Sequence, residues 1–368
     1  MDIENQIDLA MKNFEFNGEI IEKEPLEKGH INDTFCIKCR LEDNTIKKYI
    51  LQKINTNIFK NPDELMYNIV NITLYLKDTI MKNGGNPERE TLNVIKTKDE
   101  KNYYKGKDGD CWRVYNFIDN ATTYDLVENA QDFYESAVAF GNFQMLLADF
   151  PANTLYETIP NFHNTIDRLN NLKEVIKNDV VGRVKEVEKE INFVLDREKD
   201  CRIICDALNN KEIPLRVTHN DTKLNNIMID DETKKAICVI DLDTVMPGSV
   251  LYDYGDSIRF GASTALEDEK DLSKVECSME LFEAYTKGFI EGTKGSLTSK
   301  EKELFPLGAK LMTLECGIRF LTDYLQGDTY FKIHREGHNL DRARTQFKLV
   351  SDMESKWEEM KNIVKKYS

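Results

Sequence analysis

Hydrophobic and polar positions alternate along the first third of the chain and then change to a helical period. GEIIEKEPLE, DTFCIKCRL and KKYILQKIN read as strands parted by turns at KGHIN and EDNT, so two hairpins follow directly. Asn61 and Pro62 then open a helix, PDELMYNIVNITLYLKDTIMK: Asn61 suits the cap, Pro62 the first turn, and Asp63 and Glu64 the positive end of the dipole. Gly84 and Gly85 stop it. Strand patterns return in ETLNVIKTK, KNYYK and CWRVYNFI, and the expectation is a five-stranded antiparallel sheet carrying one helix.

From about Thr122 the pattern is one of long helices, interrupted by short strands at PLRVTHN, NNIMID and AICVIDLD. The change places a boundary near Asp119 and Asn120, giving an α+β, bilobal chain with an N-terminal lobe over 1–118 and a larger, mostly helical lobe over 119–368. Thr298 and Glu301 form a capping-box pattern before an apolar-periodic helix that runs to about Gln326, with Pro306 expected to kink it early. Ala343, Phe347, Val350, Trp357, Met360 and Val364 follow at helical spacing and read as core.

Composition adds exclusions. The net charge is -15 with Lys and Arg interspersed among Asp and Glu, so no basic stripe exists to follow nucleic acid or an anionic membrane. The opening MDIENQIDLAMKNFEF is acidic and too short in apolar run for a signal peptide, and no later stretch approaches a membrane-spanning length; the expected location is the cytoplasm. The eight cysteines are expected to be reduced thiols. In TFCIKCRL a strand points Cys36 and Cys39 to opposite faces, which argues against a zinc knuckle, and Cys201 and Cys205 lack a second ligand pair.

The chemistry is concentrated in RVTHNDTKLNNIMIDDETKKAICVIDLDTVMPGSVLYDYGD. An apolar strand ends at His219; Asp221, Lys223 and Asn226 follow; then a hairpin ends on Asp241. Phosphoryl transfer needs a positioned hydroxyl, a divalent metal and positive charge on the migrating group. Asp221 can accept or orient the hydroxyl proton, Asn226 and Asp241 offer hard oxygens suited to Mg2+, and Lys223 can reach the transferred phosphate. His219, Asp253 and Asp256 suit bracing of this loop better than proton transfer. Each Asp or Asn alone is a plausible turn residue; the HxDxKxxN spacing with a following hairpin and a strand-ending Asp is what outweighs that reading.

HNDTKLNN and the IDL at Ile240 to Leu242 resemble the catalytic and metal elements of the aminoglycoside phosphotransferase family, relatives of protein kinases. The resemblance covers nearly the whole chain and implies a protein-kinase-like fold that uses ATP and Mg2+ to phosphorylate a small molecule. GHINDTF, ILQKINTNIFKNP, VIDLDTVMPGSVLYDYGDSIRFGA and ECGIRFLTDYLQGDTYFK are similar, more narrowly, to the N-acetylhexosamine 1-kinases. That likeness implies transfer of the ATP γ-phosphate to the anomeric hydroxyl of GlcNAc or GalNAc. By the same resemblance Arg319 and Tyr330 hold the sugar and Phe260 contacts its acetamido group.

For the nucleotide, GHINDT offers only Gly29 where a protein kinase has three glycines, and a turn there can still present amides to phosphate. Lys53 in YILQK is the candidate for the α- and β-phosphates, with Glu64 as its partner; a one-residue change of register would put Gln52 there instead. The adenine is expected against backbone groups of Asn116, Phe117 and Ile118. Asp243, His30 and Asn32 are further sugar candidates. Arg319, read as a buried arginine in an apolar helix surface, needs acceptors, and an internal salt bridge to Glu315 or Asp323 is the alternative to a substrate. Acceptors other than a sugar, such as an aminoglycoside, choline, homoserine or methylthioribose, and a silent kinase-like binding module are the rival functions.

Overall fold

The structure, a computed structural model, describes residues 3–26, 32–124, 127 and 129–368. Two compact units are present: Met1–Thr122 with Asn153–Pro160 and Met228–Met246, and Thr123–Ala152 with Asn161–Ile227 and Pro247–Ser368.

The first unit is built on an antiparallel sheet of β1 (Glu19–Pro25), β2 (Asp33–Arg40), β3 (Ile46–Ile54), β4 (Val94–Ile95), β5 (Tyr104–Lys105) and β6 (Cys111–Asn116). Its order is β1-β2-β3-β6-β4, with β5 also on β6. Among the described residues the sheet has six strands rather than five: each of the six segments with a strand pattern contributes one, ETLNVIKTK and KNYYK only the two-residue β4 and β5. A helix not expected from the strand pattern, α1 (Ile3–Met11), lies on one face of the sheet. Ile7, Ala10, Met11 and Phe14 pack there against Ile37, Cys39, Tyr49, Leu51, Trp112 and Val114. The pleat therefore assigns every odd position of β3 to the α1 side and every even one to the other side. Helix α2 (Pro62–Lys82) follows, capped by Asn61, whose side chain accepts from the Glu64 amide, and it buries Leu65, Met66, Ile69, Ile72 and Leu76. A short α3 (Pro87–Glu90) completes the unit's helices among the described residues. A hairpin of Ile227–Asp230 with Ala236–Val239, edged by Ala121–Thr122, carries the chain to Asp241.

The second unit holds α4 (Ala130–Leu146), α5 (Thr165–Asn178), α6 (Glu188–Leu195), α7 (Ile203–Asn209), α8 (Val250–Gly261), α9 (Met279–Gly292), α10 (Ser299–Glu303), α11 (Phe305–Leu325), α12 (His338–Ser355) and α13 (Trp357–Tyr367). The capping box forms at Thr298 and Glu301. Pro306 does more than kink the helix that follows: α10 ends at Glu303 and α11 starts afresh with Pro306 in its first turn. Proline has no N–H to continue the ladder and is tolerated where a new helix begins. Helix α8 lies directly on α11, because a Cβ at Gly255 would collide with the Gly308 carbonyl oxygen. Of the C-terminal stripe, Ala343, Phe347, Val350, Met360 and Val364 are buried, while Trp357, at the start of α13, is half-buried. All eight cysteines are free thiols. Among the described residues no helix is long and apolar enough to cross a membrane.

Candidate active site

In the second unit the strand Arg216–Thr218 delivers the chain to His219 and a loop held from behind by α8. Ser249 caps α8, its hydroxyl accepting from the Leu251 amide at 3.2 Å, which sets Asp253 in the first turn. Asp253 then accepts from the His219 amide at 2.9 Å, the Asn220 amide at 2.8 Å and the Gln144 side chain at 2.8 Å. Asn220 sits at φ 64, a left-handed conformation that asparagine tolerates. Burial pushes the Asp253 carboxyl upward, against His219 and the two amides. Thr222 closes the loop by donating to the Asp253 carbonyl at 2.7 Å, and Ser257 donates to the Thr222 carbonyl at 2.8 Å. His219 turns its Nδ1 to the Asp221 amide at 3.3 Å and its ring edge to Phe140, 5.5 Å between centroids.

Inside this frame Asp221, Lys223 and Asn226 meet. Lys223 Nζ lies 2.7 Å from Asp221 Oδ1. Asn226 Nδ2 donates to the Asp221 carbonyl at 2.8 Å and to its Oδ2 at 3.1 Å. Burial alone would lower the Lys223 ammonium, but Asp221 and Asp256 outweigh it and raise its pKa. Asp256 is itself held below the usual carboxylate range: burial opposes ionisation, and Arg259 and Lys223 overcome it. Arg259 grips one Asp256 oxygen with Nε at 3.0 Å and Nη2 at 2.9 Å. Lys223 therefore stays an ammonium beside the Asp221 side chain. Because Asn226 donates its amide N–H groups to Asp221, its Oδ1 remains the oxygen suited to Mg2+.

In the first unit Asp241 takes a left-handed conformation, φ 57, and leads into a single helical turn, Leu242–Thr244. Its carboxylate is a hard oxygen donor of the kind that Mg2+ accepts. Asp243, two residues on, is buried. Arg113 Nη1 approaches its Oδ1 to 2.5 Å, an ion pair rather than an aligned hydrogen bond, and Asn32 Nδ2 donates to its Oδ2 at 2.7 Å. Arg113 also donates to Gln52 Oε1 from Nε at 3.1 Å and Nη2 at 2.9 Å, and Gln52 donates to Thr34 at 3.1 Å. Asp243 and Asn32, both sugar candidates by sequence, are thus engaged with each other and with Arg113 and the Asn55 amide. The neighbouring α2 is tied to the same turn by Asn68 Nδ2, 3.0 Å from the Val245 carbonyl.

Lys53 requires correction. It lies on the α1 side of β3, with Nζ 2.9 Å from Gln6 and 3.0 Å from Asp110. Glu64 is not its partner. The position across from Asp243 on the other face is Gln52, and the cation there is Arg113, from β6, where it stands opposite Gln52 in register. The Asn116 and Phe117 amides donate to the Asn93 and Lys48 carbonyls at 3.1 and 3.2 Å. Ile118 is buried. Gly29 and His30 lie outside the described residues.

Arg319 is half-exposed on α11 rather than buried, its guanidinium 5.4 Å from the Phe331 ring and 5.9 Å from that of Phe162. The internal salt bridges do not form. Glu315 takes His163 Nδ1 at 2.9 Å and the Thr165 hydroxyl at 2.6 Å, while Asp323 accepts from the amides of Thr329, Tyr330 and Phe331 and from Asn339. Arg319 instead lines a cavity of about 100 Å³ with Arg168, Asp323, Tyr330 and Phe331. Arg168, unremarked in the sequence, donates to the Phe162 carbonyl at 3.0 Å; burial and the adjacent Arg319 charge lower its pKa. Tyr330 is 72% exposed and Phe260 36% exposed.

An antiparallel sheet followed by helices, with a carboxylate, lysine and asparagine clustered in an HxDxKxxN loop, defines a kinase-like phosphotransferase. The family profile APH, described as the phosphotransferase enzyme family, matches residues 90–274, and the chain belongs to that family. Solved structures share the fold at low identity. An amicoumacin kinase, hAmiN, bound to AMP-PNP, Ca2+ and Ami superposes with TM-score 0.62 at 12% identity, covering 97% of this chain and 94% of that one. An aminoglycoside phosphotransferase from Alicyclobacillus acidocaldarius gives 0.61 at 10%, covering 98% and 96%, and a choline kinase from Cryptosporidium parvum 0.58 at 16%, covering 98% of each.

Proposed function

We propose that this phosphotransferase is an ATP- and Mg2+-dependent kinase acting on the anomeric hydroxyl of an N-acetylhexosamine, GlcNAc or GalNAc, to give the sugar 1-phosphate. The observation that carries the phosphoryl-transfer part is the Asp221, Lys223 and Asn226 cluster on a loop locked by Asp253. In this reading Asp221 orients the acceptor hydroxyl and takes its proton, and Lys223 lies against the transferred phosphoryl group. Asn226 and Asp241 hold Mg2+, which neutralises phosphate charge. Among the fold's neighbours, hAmiN binds AMP-PNP, which supports ATP as the donor.

The acceptor reading rests on the Arg319 cavity together with the sequence likeness. Two guanidiniums, Arg168 and Arg319, line it, and its carboxylate, Asp323, is engaged by backbone amides. Such a lining repels an ammonium-bearing acceptor of the choline or aminoglycoside kind and suits the hydroxyl and carbonyl oxygens of a neutral amino sugar. Tyr330 supplies an exposed ring face for the pyranose, and Phe260 is assigned to the acetamido methyl. The experiment is an acceptor panel of free hexosamines, hexoses, choline and aminoglycosides with ATP and Mg2+, with the phosphate position read by phosphorus NMR. Transfer to C1 of GlcNAc or GalNAc is expected; preference for a cationic acceptor overturns the acceptor assignment, and no transfer to any acceptor overturns the kinase reading.

A further inference from the structure

Arg113 is the single charged residue of β6, CWRVYN, and is 1% exposed. Desolvating a guanidinium is costly, so its partners indicate what it is there to hold. They are Gln52, at the β3 position facing it, and Asp243. Asp243 lies within the one-turn segment entered from Asp241, whose left-handed backbone is one that aspartate adopts only at single positions. Contacts that restrain that turn include Arg113 and Asn32 on Asp243, and Asn68 on the Val245 carbonyl. The contact from Arg113 is a charge pair between two buried groups.

We propose that Arg113 is a positioning residue: acting through Asp243, it fixes the Asp241 turn so that the Asp241 carboxylate is presented to the magnesium-bound nucleotide. The inference rests on the Mg2+-dependent reading of the site. It places the organising cation of the nucleotide unit on β6, with neutral Gln52 filling the β3 position where a lysine is expected.

The test is the Mg2+ dependence of ADP binding, followed by calorimetry on the full chain with no acceptor present, in wild type, R113K, R113M, D243N and R113M/D243N. The double variant removes both charges and so avoids a stranded buried ion, a replacement that is often neutral for folding. Residues that orient a metal ligand typically contribute about tenfold or more to metal affinity. R113M and the double variant are therefore expected to raise half-saturating Mg2+ about tenfold, with R113K in between and the double variant's melting temperature near wild type. A double variant that folds and keeps the wild-type Mg2+ half-saturation overturns the proposal, leaving Arg113 a purely structural ion pair. If wild type itself binds ADP without regard to Mg2+, the metal reading fails and this inference with it; loss confined to the variants cannot arise that way.

Discussion

Lys223 Nζ stands 2.7 Å from Asp221 Oδ1, so the carboxylate proposed to receive the acceptor hydroxyl and the cation proposed to meet the phosphate are adjacent. Asp221→Asn should leave melting temperature and ADP affinity close to wild type. Turnover should fall by about 10²–10⁴, the range for loss of a positioned acid–base group. Lys223→Ala should cost about 10²–10³ in kcat, as removal of a preorganised charge does elsewhere. Steady-state kinetics with equilibrium ADP binding check both.

Asp253 gathers two loop amides and the Gln144 side chain in a fully buried position. Asp253→Ala would leave the two loop amides without an acceptor, at about 1–3 kcal/mol each, and Gln144 with only the Val217 carbonyl, so a loss of about 3 kcal/mol or more is expected. Urea denaturation measures it, and a change within about 0.5 kcal/mol would contradict the bracing role.

Lys53→Met should change ADP affinity by less than about twofold and stability by about 1 kcal/mol or less, since a partly exposed ion pair contributes little. Gln52→Ala, in contrast, leaves the buried Arg113 Nε and Nη2 without their acceptor and should destabilise by about 1–3 kcal/mol. Parallel titrations with ADP and urea separate the two faces of β3.

Arg319→Ala should raise KM for the acceptor at least about tenfold while KM for ATP stays near wild type, as loss of a charge-assisted hydrogen bond predicts. Tyr330→Ala should act in the same direction. A selective effect on ATP would assign the cavity to the nucleotide.

Asp256 and Glu315 both titrate below the usual carboxylate range despite burial, Asp256 through Arg259 and Lys223, Glu315 through His163 and Thr165. Depressed folded-state pKa values add stability above the ordinary carboxylate pKa, and that stability is lost as pH falls through the folded values. Buried Asp253, raised in the fold, acts in the opposite sense and offsets part of the loss. Melting temperature should therefore drop between about pH 5 and pH 3, and Glu315→Gln should be less stable at neutral pH but lose less on acidification. A pH series of thermal melts decides it.

Much of the fold could be read from local pattern. The β2 and β3 alternation, the Asn61 and Pro62 helix start and the Thr298 and Glu301 capping box are near-neighbour effects, and each appears where the residues place it. Helix α1 was legible too, in the spacing of Ile7, Ala10, Met11 and Phe14. Reading it would have resolved Lys53, because Tyr49 and Leu51 share its side of β3 and need an apolar cover. Arg113 was visible only as a lone charge in an apolar strand.

By itself, then, the chain's residue order determined most of the elements and the HxDxKxxN spacing, because these depend on a few residues along one backbone. Tertiary structure alone decided which face of β3 meets α1, that Asp243 and Asn32 answer Arg113, and that Glu315 and Asp323 take His163 and backbone amides, leaving Arg319 to its cavity. Those outcomes join residues as many as 211 positions apart, and partner choice at that separation is set by packing, not by local propensity.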